Sequence, residues 1–301
     1  MYRSILVSLD GSTFAEAALP WALAMGRTAD ADVHLASVHE PIPSFSYEEW
    51  ESAAWDWSEE YLKKVRTRLE TQTSGTVDAW VGSGRVVDSL LERARDVSAE
   101  LIVMATHGRG AFTRAWLGSV TDGLLRHTHL PVLVVRPPEG AEAADVASFE
   151  LPTISSIVVP LDGSDLAESE LAEAHTLAKE FGAKVHLVRI VAYPVEIASP
   201  YLPHTVQMNA QLVDEAKDAA SEYMDERAHS LRERGIDVET HVRIDAQPGH
   251  AIAELVDEVG ADLVIMATHG RGGIQRALLG STTDKVIRAV KLPVLVRRPT
   301  D

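Results

Sequence analysis

One heptapeptide occurs twice in this chain, first as Met104-Ala105-Thr106-His107-Gly108-Arg109-Gly110 and again as Met266-Ala267-Thr268-His269-Gly270-Arg271-Gly272. The match continues, because Leu117-Gly118-Ser119 recurs as Leu279-Gly280-Ser281 and Leu130-Pro131-Val132 as Leu292-Pro293-Val294. Near the start of each copy, Leu9-Asp10-Gly11-Ser12 matches Leu161-Asp162-Gly163-Ser164. Such a repeat is the signature of a duplicated structural unit. The sequence therefore predicts two homologous domains, 1–137 and 153–301, joined by a linker at 138–152 that is rich in Pro, Ala and acidic residues.

Each copy alternates short apolar runs with amphipathic segments. In the first copy we predict helices at Thr13 to Gly26, opened by a capping box from Thr13 to Glu16, and at Ser58 to Thr71, Val86 to Val97 and Ser119 to His127. The predicted strands are Ser4 to Leu9, Val33 to Val38, Val77 to Val81, Leu101 to Ala105 and Val132 to Val135. The pattern predicts the α/β class: two tandem copies of a five-stranded, doubly wound parallel sheet of Rossmann-like type.

Composition limits the classes of protein and partner. The chain has 301 residues, no cysteine and a formal net charge of -17 at pH 7. Lack of cysteine excludes disulfides, thiol nucleophiles and thiolate metal sites. The acidic excess argues against a broad surface for nucleic acid or anionic membranes. No apolar run approaches the ~18 residues of a membrane span, and the N-terminus enters a strand at once, so we expect a cytoplasmic, soluble protein with neither kind of partner.

The repeated loop has the composition of an anion site. Ligands of doubly wound sheets bind beyond the carboxyl ends of the strands at the switch point, which points to Asp10 and to the loop from Ala105. Glycines allow backbone amides close to a phosphate, and Gly118-Ser119 is expected at a helix start, where the dipole favours negative charge. Arg109 and Arg114 would add charge-assisted contacts. The alternative is an ordinary strand-to-helix connection whose glycines serve only its turns.

Other candidate groups have plainer interpretations. Asp10-Gly11-Ser12 and Asp162-Gly163-Ser164 could be Asx-type turns into a helix. His107 and His269 lack a nucleophile or carboxylate at a recognisable spacing, so we assign no catalytic residue and no metal site formed by the protein. The three tryptophans Trp50, Trp55 and Trp57 are expected between the second strand and second helix, covering a hydrophobic edge or forming an interface.

These residues resemble the universal stress protein family. Its nucleotide-binding members carry G-x2-G-x9-G-[ST] after the fourth strand and an Asp at the end of the first. The resemblance implies ATP as ligand, with Mg²⁺ held through the nucleotide. It places Asp10-Gly11 and Asp162-Gly163 at the ribose or adenine, and the backbones of Val38 and Ile190 at the adenine. The phosphates would lie in the loops Ala105 to Ala111 and Ala267 to Gly273, with Gly118-Ser119-Val120 and Gly280-Ser281-Thr282.

One position departs from the family motif in both copies. Ala105 and Ala267 stand where the motif has its first glycine. If that residue needs a positive φ or a close phosphate, a methyl group there costs on the order of 1 kcal/mol, enough to weaken binding.

The resemblance implies a tandem universal stress protein that binds an adenine nucleotide in each half and acts as a stress-response regulatory or sensing module. The alternatives are a nucleotide-free dimeric scaffold of the same fold and a slow ATPase. We also expect the halves to pair through their last strands, Val132 to Val135 and Val294 to Val296, whose edges are otherwise unpaired, and the chain to form a homodimer.

Overall fold

The computed structural model describes residues 1–40, 48–106, 117–137, 150–192, 205–268 and 279–298. By their internal contacts they form two compact units. Unit 1 is Met1–Pro152 together with Pro293–Asp301, and unit 2 is Thr153–Leu292.

Unit 1 alternates strands and helices along the chain. Its strands are β1 (Ser4–Ser8), β2 (Asp32–His39), β3 (Val77–Ser83), β4 (Leu101–Ala105), β5 (Val132–Val135) and, from the end of the chain, β10 (Val294–Arg297). Its helices are α1 (Thr13–Glu16), α2 (Ala18–Gly26), α3 (Glu48–Leu69), α4 (Val86–Asp96) and α5 (Ser119–His127).

The first five strands form a parallel sheet in the order β3-β2-β1-β4-β5. Ile5 of β1 pairs with Val33 of β2 on one side and with Leu101 of β4 on the other. This confirms the predicted α/β, doubly wound architecture and places the switch point between β1 and β4. The expected pairing of the last strands is also present, because Leu295 of β10 lies antiparallel to Leu133 of β5.

The core of unit 1 lies on both faces of this sheet. Leu101, Ile102 and Val103 are all 0% exposed. Since successive side chains of a strand point to opposite faces, burial of three in a row requires helices on each face.

Unit 2 repeats the arrangement. Its sheet has the order β9-β6-β7-β8, with all neighbours parallel. The strands are β6 (Ser156–Pro160), β7 (Lys184–Val191), β8 (Val238–Ile244) and β9 (Leu263–Ala267). The helices are α6 (Asp165–Glu168), α7 (Glu170–Phe181), α8 (Thr205–Arg232), α9 (Pro248–Glu258) and α10 (Ser281–Ala289).

The N-cap of the first helix lies one residue before the predicted capping box. Ser12 is the N-cap of α1, and its Oγ accepts the backbone N–H of Ala15 at 3.1 Å. The predicted partner at the end of that box, Glu16, instead accepts a 2.6 Å hydrogen bond from Arg68 of α3. The Glu16 carboxylate, which the local pattern assigned to the helix cap, is therefore bound by a guanidinium that is distant in the sequence.

Helix α3 starts well before the predicted Ser58, so the tryptophans lie within the helix. Trp55 donates to Glu59 at 2.9 Å, and the ring of Trp57 stacks on Tyr61 with centroids 5.5 Å apart. Both contacts span four residues, the spacing that stabilises a helix. Trp57 remains 47% exposed.

In the part of the chain that the structure describes, none of the helices combines the length and apolar character needed to cross a membrane.

Candidate functional site

The residues after β1 form a tight turn centred on Asp10. Its Oδ1 accepts the backbone N–H of Ser12 at 3.0 Å and the Ser12 hydroxyl at 2.6 Å. Gly11 between them has a φ of 79°, a left-handed conformation that glycine adopts without strain. The Asx-type turn is therefore present, and it holds the Asp10 carboxylate at the strand end.

The turn after β6 has the same geometry. Asp162 Oδ1 accepts the N–H of Ser164 at 3.0 Å and its hydroxyl at 2.6 Å. The Ser164 Oγ in turn accepts the N–H of Ala167 at 3.2 Å, as the N-cap of α6, and Gly163 has a φ of 76°. The two copies therefore share the geometry of this turn as well as its residue identities.

The sheet brings this turn to the switch point. Val7 of β1 pairs with Val103 of β4, so Asp10 and Ala105 both follow at the same edge of the sheet. On the other side Ser8 pairs with Ala36, and β2 runs on past this pair through Val38. In unit 2, β6 likewise lies between β9 and β7, the strand that carries Ile190. The described parts of each predicted site thus lie together at the carboxyl ends of the strands.

A glycine-started helix faces the end of β4. The Gly118 N–H donates to the Thr106 carbonyl at 3.0 Å, and Thr121 Oγ1 donates to the Ala105 carbonyl at 3.3 Å. Helix α5 begins at Ser119 with Gly118 as an N-cap that offers no side-chain acceptor. A Cβ on Gly118 would lie 2.9 Å from the Thr106 carbonyl oxygen, so the close approach itself requires glycine.

The start of α10 in unit 2 is equivalent. Gly280 donates to the Thr268 carbonyl at 2.8 Å, and Thr283 Oγ1 donates to the Ala267 carbonyl at 2.9 Å. Gly280 caps α10 without a side-chain hydrogen bond, and Ser281 and Thr282 occupy its first turn. Backbone amides in the first turn that lack a side-chain cap lie at the positive end of the helix dipole and can donate hydrogen bonds to an anion.

The alanines that replace the first motif glycine lie in regular strands. Ala105 ends β4 and pairs with Val135, and Ala267 ends β9. Among the described residues, only Asp30 and Ser98 are non-glycine residues with positive φ. Backbone strain at the two alanines is therefore absent, and only the bulk of a methyl group could oppose a ligand.

The remaining predicted loop residues lie outside the described residues. They are His107, Gly108, Arg109, Gly110 and Ala111 in the first copy, and His269, Gly270, Arg271, Gly272 and Gly273 in the second.

Sequence reasoning missed a second polar cluster, on the paired strands β7 and β8. His186 Nδ1 lies 3.0 Å from His241 Nε2, and Glu239 has carboxylate oxygens 3.9 Å from each of these nitrogens. Burial, together with the neighbouring imidazole, lowers the pKa of His186, and burial also lowers the pKa of His241. The Lys184 ammonium, 2.7 Å from Glu239 Oε2, lowers the pKa of that carboxyl. At neutral pH the cluster therefore holds two uncharged imidazoles and one carboxylate.

Comparison with known proteins places the fold and the motifs in a family. The model of the universal stress protein family matches residues 1–136 and again 153–298. A curated universal stress protein of Mycolicibacterium smegmatis is 30% identical over 98% of this chain and 97% of its own length. A crystal structure of a universal stress protein from Archaeoglobus fulgidus covers 99% of this chain and 97% of that chain, with 19% identity and a TM-score of 0.70.

Another solved structure is described as a universal stress protein in complex with cAMP. It is 28% identical, covers 49% of this chain and 98% of that chain, and has a TM-score of 0.32. The two matches of the family model together account for nearly the whole chain. The chain therefore belongs to the universal stress protein family, as a member with two such domains in tandem.

Proposed function

We propose that the chain binds ATP or another adenine nucleotide in each half, with Mg²⁺ held through the phosphates, and acts as a stress-response regulatory or sensing module. The observation that carries this proposal is the identical pair of switch points. Each has an Asp turn at the end of one strand and a glycine-started helix at the end of its neighbour. Membership of the family makes the nucleotide the ligand to test first.

The geometry suggests a division of roles within each site. The Asp10 and Asp162 carboxylates are acceptors suited to ribose hydroxyls or to the amino group of adenine. The amides at Ser119-Val120 and Ser281-Thr282 begin helices and suit phosphate oxygens. Nucleotide binding would regulate the protein only through a difference in affinity between two conformations or between free and partner-bound states.

Calorimetric titration with ATP, with and without Mg²⁺, tests the proposal on full-length chain stripped of nucleotide. We expect two sites per chain, with Asp10→Ala weakening one and Asp162→Ala the other. Loss of a hydrogen bond to a charged group costs about 1.5–3 kcal/mol, which corresponds to roughly tenfold weaker binding or more. Mass spectrometry of nucleotide released from freshly purified protein gives an independent measurement.

Ser12→Ala and Ser164→Ala are the matched controls. They remove the hydroxyl's hydrogen bond to the Asp carboxylate and the helix cap, but keep the carboxylate and its bond from the backbone N–H, so they should retain far more affinity than the Asp variants. Equal losses would mean that Asp10 and Asp162 act only through the turn. Absence of any bound or titratable adenine nucleotide at millimolar ATP would favour the nucleotide-free scaffold. Sustained phosphate release that disappears in the Asp10→Ala/Asp162→Ala double variant would favour the slow ATPase.

A further inference from the structure

The second repeat carries a cluster of nitrogen and oxygen ligands away from the switch point. In the register of β7 and β8, His186 pairs with Glu239 and Val188 pairs with His241. Paired residues of neighbouring strands share a face, as do residues two apart on one strand. The three side chains His186, Glu239 and His241 therefore project from one face of the sheet, near the start of both strands and opposite the edge that carries Asp162.

The spacing of the cluster suits a small transition-metal ion. The candidate ligand atoms of the three residues all lie within 4.8 Å of one another. A tetrahedral Zn²⁺ site, with bonds of about 2.0–2.2 Å, holds its ligand atoms ~3.3 Å apart. The two imidazole nitrogens are already 3.0 Å apart, and the carboxylate needs to approach by only a fraction of its 3.9 Å separation.

Burial and access from solvent also favour an ion at this position. The His186 and His241 side chains are 8% and 17% exposed, while Glu239 is 49% exposed and leaves a route from solvent. Lys184 bonds Oε2 of Glu239, and the second oxygen, Oε1, faces His241. The next cation on this face, Arg243, is neutralised by an ion pair with Glu258 of α9.

The first repeat supplies an internal comparison. At the equivalent strand positions it has His34, Asp78 and Trp80. The third position therefore carries an indole, which has a donor N–H only and is not a metal ligand. Its helix α4 contributes Arg93, which donates to Asp78 at 2.6 Å and lies over the Trp80 ring at 5.6 Å.

The two repeats therefore satisfy the same carboxylate differently. At the α9 position that corresponds to Arg93, unit 2 has the buried Leu255. In the first repeat the helix supplies a cation, Arg93, to the carboxylate. In the second repeat α9 supplies none, and His241 stands at the position of Trp80.

We propose that His186, Glu239 and His241 bind one divalent transition-metal ion of the Zn²⁺ class, with the remaining coordination position open to water. Two imidazoles and one carboxylate are a ligand set that this class of ion accepts. In the metal-free chain one imidazole donates its N–H to a ring nitrogen of the other at their 3.0 Å contact. Metal binding would shift the donor ring to its other tautomer, with the proton on the nitrogen away from the ion and no net release of protons. The bound ion would tie the edge strand β8 to β7. The proposal is independent of nucleotide binding.

The test uses untagged full-length chain treated with EDTA and dialysed. Zn²⁺ alone is titrated calorimetrically, and Co²⁺ alone is titrated by its visible absorption, which is intense when the ion is four-coordinate. We expect one ion per chain. His241→Gln and Glu239→Gln should each weaken binding at least tenfold, since even an outer-shell change at a metal site costs about 10–100-fold.

His34→Gln is the matched control, because it removes the histidine at the same register position of the first repeat. It should leave affinity and stoichiometry unchanged. Far-UV circular dichroism checks that the variants fold, and Zn²⁺ should raise the melting temperature of the wild type but not that of His241→Gln. Binding that survives both His241→Gln and Glu239→Gln would overturn the proposal, as would the lack of saturable binding below millimolar Zn²⁺.

Discussion

Replacement of Ser12 by Ala tests the turn on which the first site is built. The Ser12 hydroxyl makes two hydrogen bonds at once, because it donates to Asp10 Oδ1 at 2.6 Å and accepts from the Ala15 N–H at 3.1 Å. Alanine removes both bonds, so the Ala15 amide is left to water, while the Asp10 carboxylate keeps its bond from the backbone N–H of residue 12.

The magnitude follows from the two bonds. Loss of a Ser N-cap costs about 1 kcal/mol. Loss of a half-buried hydrogen bond to a carboxylate adds roughly another 1 kcal/mol, at the low end of its usual range because water reaches the group. We therefore expect the free energy of unfolding of unit 1 to fall by about 2 kcal/mol. With a urea m-value of about 2 kcal/mol/M, the midpoint should shift down by about 1 M.

Tryptophan fluorescence reports this change selectively, because the six tryptophans all lie in the first repeat, at Trp21, Trp50, Trp55, Trp57, Trp80 and Trp116. Ser12→Thr, which keeps the hydroxyl, is the control and should shift the midpoint by less than half as much. Ser164→Ala removes the same bonds from the second repeat, and its effect should appear in circular dichroism more than in fluorescence. A Ser12→Ala midpoint within about 0.2 M of wild type would refute the assigned role of the hydroxyl.

Two further predictions concern the scaffold of unit 1. Glu16→Ala should lower the free energy of unfolding by about 2 kcal/mol, because it removes the carboxylate that pairs with the largely buried Arg68 guanidinium. The control Glu70→Ala breaks an exposed ion pair with Arg66 and should cost under about 0.5 kcal/mol. Equal urea midpoints for the two variants would contradict this prediction. Thr76→Val should destabilise at pH 7, since hydrogen bonds from Thr76 hold the pKa of Asp32 below its ordinary 3.8. A carboxyl group whose pKa is lower in the folded than in the unfolded chain stabilises the fold at pH values above its unfolded pKa. This stabilisation is lost as the pH falls through the folded pKa. The difference in melting temperature between Thr76→Val and wild type should therefore shrink towards pH 3 and not grow.

Local patterns were sufficient to predict much of the fold. The run Leu101 to Ala105 predicted a strand buried on both sides, and β4 has those bounds. The predicted helix Ser119 to His127 and the strand Val132 to Val135 also match α5 and β5. Glycine, capping residues and alternation of apolar residues act over a few positions, so their consequences can be deduced from the sequence. The same holds for the Asx-type turn at Asp10, whose bonds join residues two apart.

The repeated heptapeptide, by itself, determined that the chain is two copies of one α/β domain, and it pointed to the strand ends at which we propose that a nucleotide binds. Tertiary structure alone decided that Glu16 pairs with Arg68 across 52 residues and that His186 meets His241 across 55. The Glu239-x-His241 spacing placed two ligands on one face, but the third depended on the register of a neighbouring strand. Which residues of β7 and β8 lie opposite each other depends on how the two strands pack together, so it could not be deduced from either short segment alone.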